Sequence, residues 1–277
     1  ELSKNKKIVF HVNGLWSFFI HRAIRLALLE EIPIVMSTHG MLDPWALAHK
    51  SFKKKLAWFI YQKKDLSKAN VLLTTSLVES KNVRSAGLTN RIDMVPNGID
   101  VPAEPQSITK KSKSVLFLSR IHEVKGLENL IEAWSLVDSY DWRLVIAGEG
   151  EKGYVKSIEE KIAESDPNGT ISLVGHVSGI DKEFLFQKAS IFVLPSFSEN
   201  FGLAIAEAMS YGLPIITTKM TPWKIIDDLD CGWWIDNGVE PLSVSLKQAL
   251  NSTDAELAEK GQNLSLIHIS EPTRRKR

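Results

Sequence analysis

The chain has 277 residues, 44% of them apolar and 24% charged, which is ordinary globular composition with material for about two domains of roughly 150 residues each. A formal net charge of +1 gives no global reason to expect a nucleic-acid partner, and one cysteine, Cys231, excludes an internal disulfide framework and fits a reducing compartment. No apolar run approaches the ~18 residues needed to cross a bilayer, and no signal-peptide pattern opens the chain.

Lys7 to Val12 reads as a buried strand, and Ser17 to Glu31 as a helix with Phe19, Ala23, Leu26 and Leu29 along its core face. Ile34 to Thr38 is a second strand. Asp43-Pro44 then starts a long helix, with Asp43 as N-cap and Pro44 at the first helical position. Trp45, Ala48, Phe52, Leu56, Phe59 and Ile60 recur by threes and fours along it and predict its core stripe. Val71 to Thr75 is a third strand, Leu77 to Ala86 a helix ending at Gly87, and Ile92 to Val95 a fourth strand closed by the turn Pro96-Asn97-Gly98.

Val101 to Lys113, rich in Pro, Ser, Thr and Lys, lacks an apolar period and is the linker candidate. Beyond it, strands are expected at Ser114–Leu118, Arg143–Ala147, Thr170–Val174, Ser190–Leu194 and Pro214–Thr218. Helices are expected at Leu127–Val137, Gly153–Ser165, Asp181–Lys188, Phe201–Tyr211 and Glu240–Leu250. Alternating strands and helices imply an α/β chain of two Rossmann-like domains with parallel sheets, with chemistry in the loops that follow strands. The expected division is 1–107, 108–263 and a tail, 264–277, which reads as the translation of a sequencing adapter rather than native sequence.

Several loops carry chemistry-bearing residues. Arg120 and Lys125 lie between a strand and a helix, where two cations suit an anion such as diphosphate or are solvated surface charges. In SFSENFGLAIAEAM, Ser198 or Asn200 is expected to cap a helix starting near Phe201, and Gly202 allows close backbone approach. Glu207 lies among Leu203, Ala204, Ile205, Ala206 and Ala208, where a carboxylate is costly unless donors such as ligand hydroxyls satisfy it. Glu199 precedes it in the loop, and the pair also reads as an exposed helix residue and a loop acid. Gly148 and Gly150 open a G-x-G-x-x-G match ending at Gly153, which is weak for a dinucleotide because the next strand does not end in a ribose-holding acid. It still allows close backbone approach to a phosphate or sugar. His39, after the second strand, suits a sugar hydroxyl or proton transfer and equally a satisfied loop histidine. No Cys/His spacing suggests a metal. The Lys50-to-Lys64 helix, with Lys53, Lys54, Lys55 and Lys63 between, reads as a solvated basic face or as a contact for anionic lipid or a lipid-linked acceptor.

Together HVNGLW, MLDPWAL, VPNGID, SRIHEVKGL, IAGEGE, LPSFSENFGLAIAEAM and CGWWID resemble the family-4 glycosyltransferases, retaining enzymes of the GT-B fold with two facing Rossmann-like domains. GLW with GMLDPWAL resembles the exopolysaccharide and lipopolysaccharide subset. The resemblance implies that Arg120 and Lys125 bind the donor diphosphate, Glu199 the transferred sugar and Glu207 the ribose. It implies that Phe201, Gly202 and Leu203 offer backbone N–H groups and that His39 faces the sugar. It further implies a nucleotide-diphosphate sugar as substrate, no cofactor or metal, a saccharide or lipid-linked saccharide acceptor, and a cytoplasmic location, peripheral at the inner face of the membrane. A nucleotide-sugar epimerase or phosphorylase, or a non-catalytic nucleotide-binding module, remains open at this point. Asn13 stands where the family more often has His. By the family's pattern a leading strand with its glycine-rich loop is expected ahead of Glu1, and a final helix in place of the tail. The first domain is thus expected to be incomplete, and the 277-residue chain to turn over poorly, if at all.

Overall fold

The computed structural model describes residues 8–48, 51–99, 111–139, 141–166 and 168–263. The chain divides into two compact units, Glu1–Asn97 and Gly98–Arg277. Most of the expected linker, the boundary expected after residue 107, Lys50 and the 264–277 tail lie outside the described residues.

The first unit is a βα alternation: β1 (Phe10–Asn13), α1 (Phe18–Leu29), β2 (Ile34–Ser37), α2 (Pro44–Ala48), α3 (Ser51–Ala57), a π-helical segment (Trp58–Gln62), α4 (Lys63–Lys68), β3 (Val71–Thr74), α5 (Leu77–Ser85) and β4 (Arg91–Met94). Its strands pair in parallel in the order β1-β2-β3-β4. Right-handed crossovers between strands taken in sequence put every helix on one face of such a sheet. Burial follows: Val12, Ile34, Met36 and Leu72 are buried, whereas Val35, Val71 and Leu73, on the other face, are only half-buried.

Two expected core stripes prove to be outward-facing. On α1 the buried residues are Ile24 and Ala27, while Phe19, Leu26 and Leu29 are exposed and Ala23 is half-buried. The helix is apolar on both sides, so spacing alone cannot choose between its stripes. On the long helix, Phe52, Leu56, Phe59 and Ile60 face solvent, and so does Ala48, with Trp45 half-buried. The inward face is instead partly polar: Gln62, Asp65 and Leu66 are buried, and half-buried Trp58 packs against the core of this unit. The π-helical turn meets the Gly14-Leu15-Trp16 loop. The Trp16 N–H donates to Gln62 Oε1 (2.7 Å), and the Tyr61 hydroxyl donates to the Trp16 carbonyl (2.8 Å). Trp16 holds a left-handed φ of 72°, costly for a bulky residue and sustained here by both bonds.

The second unit runs β5 (Ser114–Leu118), a 3-10 turn (Glu123–Lys125), α6 (Leu127–Ser135), β6 (Arg143–Ala147), α7 (Lys152–Ser165), β7 (Ile171–Gly175), α8 (Gly179–Lys188) and β8 (Ile191–Leu194). It continues with α9 (Leu203–Ser210), β9 (Ile215–Thr218), α10 (Ile225–Asp228), β10 (Gly232–Ile235), α11 (Val239–Asn251) and α12 (Asp254–Asn263). All five expected strands and all five expected helices are present within a few residues, and β10 is added. Its glycine start hides it, and Gly232 is needed because a Cβ there would lie 2.0 Å from the Ile215 carbonyl oxygen. The six strands are parallel in the order β10-β9-β8-β5-β6-β7. Strand β8 is wholly apolar and β5 is apolar after Ser114, and both are almost wholly buried, as a sheet covered on both faces requires. The core includes Phe117, Leu130, Trp134, Phe186 and Phe192.

Candidate functional site

The strand order of the second unit reverses between β5 and β8, and a parallel sheet opens a crevice at the carboxyl ends of its strands where the order reverses. The two loops that border this crevice carry Arg120, Lys125, Glu199, Phe201 and Gly202 of the expected site residues. After β5 comes Ser119-Arg120-Ile121-His122, then the 3-10 turn containing Lys125. Gly126 (φ 68°) turns the chain into α6, and a Cβ there would lie 2.2 Å from the Pro195 carbonyl oxygen. That contact presses the two loops together. The Phe197 N–H donates to the Val124 carbonyl (2.8 Å), and Lys125 Nζ donates to Glu199 Oε2 at 2.5 Å. Both side chains of this ion pair are largely buried, at 10% and 13% exposure, and Ser196 Oγ adds a second donor to the same oxygen (3.2 Å). A pair so enclosed needs such extra donors to offset its desolvation. Arg120, five residues before, is exposed and makes no hydrogen bond or ion pair among the described residues.

Helix α9 begins at Leu203 rather than at Phe201, with Gly202 (φ 82°) in the N-cap position. The Ile205 and Ala206 N–H groups turn back onto the Gly202 carbonyl (2.9 and 3.2 Å), and the positive end of the helix dipole lies at this turn. Trp223 closes this end by stacking edge-on against the Phe201 ring (5.3 Å) and donating its indole N–H to the Phe201 carbonyl. A Cβ on Gly202 would come within 3.1 Å of Glu199, Ile205 and Trp223 side-chain atoms, so the turn is filled on three sides.

Glu207 is partly exposed rather than enclosed, and its carboxylate is satisfied within the protein. Lys182 Nζ of α8 donates to Glu207 Oε1 at 2.7 Å. No spacing signal pointed to Lys182, because the two residues belong to different elements. Gly148 and Gly150 have a definite packing reason. A Cβ would lie 1.8 Å from the Ser119 carbonyl oxygen at the first and 2.1 Å from that of Ile121 at the second. The end of β6 thus runs against the loop after β5, with the Ile121 N–H donating to the Glu149 carbonyl (2.8 Å). Gly153 lies within α7 with nothing near it.

In the first unit, His39 follows β2 with a left-handed φ of 48°, is exposed, and shares a hydrogen bond between its Nε2 and Asn13 Oδ1 (3.0 Å). Its neighbours are tied down by Glu79 of α5, which is buried. Glu79 accepts from Thr38 Oγ1 (2.6 Å), Gly40 N–H (2.7 Å), Thr75 N–H (2.7 Å) and Thr75 Oγ1 (3.0 Å). Glu79 went unnoticed in the sequence, where it reads as one more polar residue on a short helix. Among the described residues no group of three or more His, Cys, Asp or Glu could hold a metal ion, and no helix is long and apolar enough to cross a membrane.

Residues 101–264 match the family described as glycosyl transferases group 1, and residues 3–102 match glycosyltransferase family 4. The chain is 30% identical over 223 residues to the GDP-mannose:cellobiosyl-diphosphopolyprenol alpha-mannosyltransferase of Xanthomonas oryzae pv. oryzae, covering 78% of this chain and 57% of that protein. It is 27% identical over 167 residues to the D-inositol 3-phosphate glycosyltransferase of Pseudarthrobacter chlorophenolicus, covering 55% of this chain and 40% of that protein. The chain thus spans about half the length of these curated relatives. Among solved structures, sucrose-phosphate synthase from Thermosynechococcus elongatus superposes with a TM-score of 0.78 at 18% identity, over 95% of this chain and 69% of that one. Anabaena HepE in complex with UDP-glucose superposes with a TM-score of 0.75 at 19% identity, over 94% of this chain and 74% of that one.

Proposed function

The chain belongs to the glycosyl transferases group 1, with the α/β two-sheet fold of the GT-B enzymes, and from that membership we propose that it moves a hexose-type sugar from a nucleotide-diphosphate sugar to a saccharide or lipid-linked saccharide acceptor. The observation that carries the reading is the largely buried Lys125–Glu199 pair at the strand-order reversal, beside the start of α9 at Gly202.

Departure of a nucleoside diphosphate builds negative charge on its phosphate oxygens. Lys125 and the exposed Arg120 supply fixed positive charge for it, and the first N–H groups of α9, around Phe201, Gly202 and Leu203, supply oriented donors. These groups do the work that a metal ion does in other transfer sites. Glu199, already held by Lys125 and Ser196, keeps lone pairs free for hydroxyls of the transferred sugar. Glu207 accepts ribose hydroxyls on the oxygen sites that Lys182 leaves open. Gly148 and Gly150 hold the backbone at the floor of the site. We assign His39, exposed after β2, to a hydroxyl of a sugar substrate. Retention of anomeric configuration, with a donor phosphate oxygen assisting deprotonation of the acceptor, belongs to this reading, as does a cytoplasmic location. The curated relatives named for GDP-mannose and for a diphosphopolyprenol-linked acceptor support the choice of substrate classes.

Transfer of labelled sugar by the full-length gene product tests it. Lys125→Ala is expected to cut the rate by about 100-fold or more, the scale of losing one charge-stabilising donor, and Glu207→Ala to lower it through weakened binding of the donor ribose. Unchanged rates in both variants overturn the site. A new glycoside as product separates transfer from epimerisation, which returns a free sugar nucleotide.

A further inference from the structure

The loop that carries Glu199, residues 195–202 between β8 and α9, is held by one neighbouring turn. That turn runs from Thr218, the last residue of β9, to Trp223, ahead of α10. It fixes three separate backbone groups of the loop. Thr218 Oγ1 donates to the Ser196 carbonyl (2.5 Å), the Glu199 N–H donates to the Met220 carbonyl (3.3 Å), and the Trp223 indole N–H donates to the Phe201 carbonyl.

The turn is itself firmly set. The Thr221 N–H and hydroxyl both donate to the Thr218 carbonyl (3.0 and 2.9 Å), and the Ile226 N–H donates to the Trp223 carbonyl (3.0 Å). Thr218, Thr221 and Trp223 are all buried. A support of this kind can hold a neighbouring loop in one orientation.

The contact from Trp223 falls at the end of the loop that enters α9. A trans peptide is planar, so its C=O and N–H point in opposite directions. The Phe201 carbonyl and the Gly202 N–H belong to one such plane. Fixing the carbonyl on the indole therefore aims the Gly202 N–H away from Trp223. Glycine alone does not fix its own backbone, and Gly202 sits at a left-handed φ of 82°, so this orientation has to come from its surroundings. Trp223 supplies it twice, through the hydrogen bond and through the edge-on packing of its ring against Phe201 at 5.3 Å.

We propose that Trp223 is a positioning residue for the donor diphosphate. It touches no reacting atom and acts by aiming the Gly202 N–H at the phosphate oxygens. The inference rests on the sugar-transfer reading, and it makes the indole N–H, not only the bulk of the ring, necessary for donor binding.

Calorimetric titration of the full-length gene product with UDP, GDP, ADP and dTDP tests it, with kcat and both KM values measured alongside. Trp223→Phe keeps an aromatic ring against Phe201 and removes the N–H. It is expected to raise the Kd of the nucleoside diphosphate that the wild type binds, and the donor KM, by about tenfold, the scale of one hydrogen bond to a charged group. The acceptor KM is expected to stay unchanged. The isostere 3-benzothienylalanine at position 223, with sulfur in place of the N–H, is expected to give the same tenfold rise while lowering the melting temperature by less than about 4 °C. It decides the question where the Phe variant does not fold. A role confined to the core would reduce the active fraction, so a fall in kcat at unchanged donor KM and Kd overturns the inference. Binding lost in Lys125→Ala and kept in both position-223 variants overturns it alone and leaves sugar transfer standing. A wild type that binds none of the four nucleotides overturns both.

Discussion

A methyl group at Gly126 would meet the Pro195 carbonyl oxygen at 2.2 Å, on a residue whose φ is already left-handed. Gly126→Ala is therefore expected to destabilise the second unit by about 2–3 kcal/mol and to part the loops that bring Lys125 to Glu199, measured by urea denaturation. Cys231 has no exposed surface, and burial, with the Asp230 charge adding and the Lys260 charge opposing, pushes its thiol up to about 11. The folded state thus holds a proton that the unfolded state releases near pH 9. Its contribution to stability is complete below about pH 9 and is lost as pH rises towards 11. Denaturation midpoints are expected to fall across that window in the wild type and less steeply in Cys231→Ala. At this scale the sequence is informative about residue types and poor on partners. Arg120, Lys125 and Glu199 stand out as candidates by loop position, whereas the cost of a carboxylate among apolar neighbours, the reason for singling out Glu207, is removed by its partial exposure and its pairing with Lys182. That Lys182 satisfies Glu207, or that Glu79 anchors the His39 loop, depends on residues brought together from separate elements.

The helices of the first unit show where periodicity stops being decisive. On α1 both Ile24 with Ala27 and Phe19 with Leu26 satisfy helical spacing, and only the sheet beneath selects the first pair. On the long helix the stronger apolar stripe is the outer one, because the inner face spends its positions on Tyr61, Gln62 and Asp65 to hold α1 and the Trp16 loop. Ile24→Ala is expected to cost about 2–4 kcal/mol and Leu26→Ala less than about 0.5 kcal/mol by equilibrium unfolding. Equal costs would mean that the buried stripe has been misassigned. The second unit is read more faithfully from sequence because its strands are short, mostly apolar runs separated by amphipathic helices with clear stops.

Across the whole molecule the two units hold separate cores of unequal size. Among the described residues 36 buried apolar residues cluster in the second unit and 12 in the first. Unfolding followed by fluorescence is expected to show two transitions, the first unit melting at the lower temperature; one sharp transition would contradict independent cores.

The strand orders have a kinetic consequence. Every pairing in the first unit joins strands that follow one another along the chain, so each can close as soon as the next strand has been synthesised. The second unit is different: Val115 must wait for Ile191 before its sheet can be joined across the reversal, and all of β6, α7, β7 and α8 intervene. Loops that long must be closed before their contacts repay them, which slows folding. On the ribosome the first unit would take shape early, while the β5 and β8 loops that hold Lys125 and Glu199 would meet only once most of the chain had emerged.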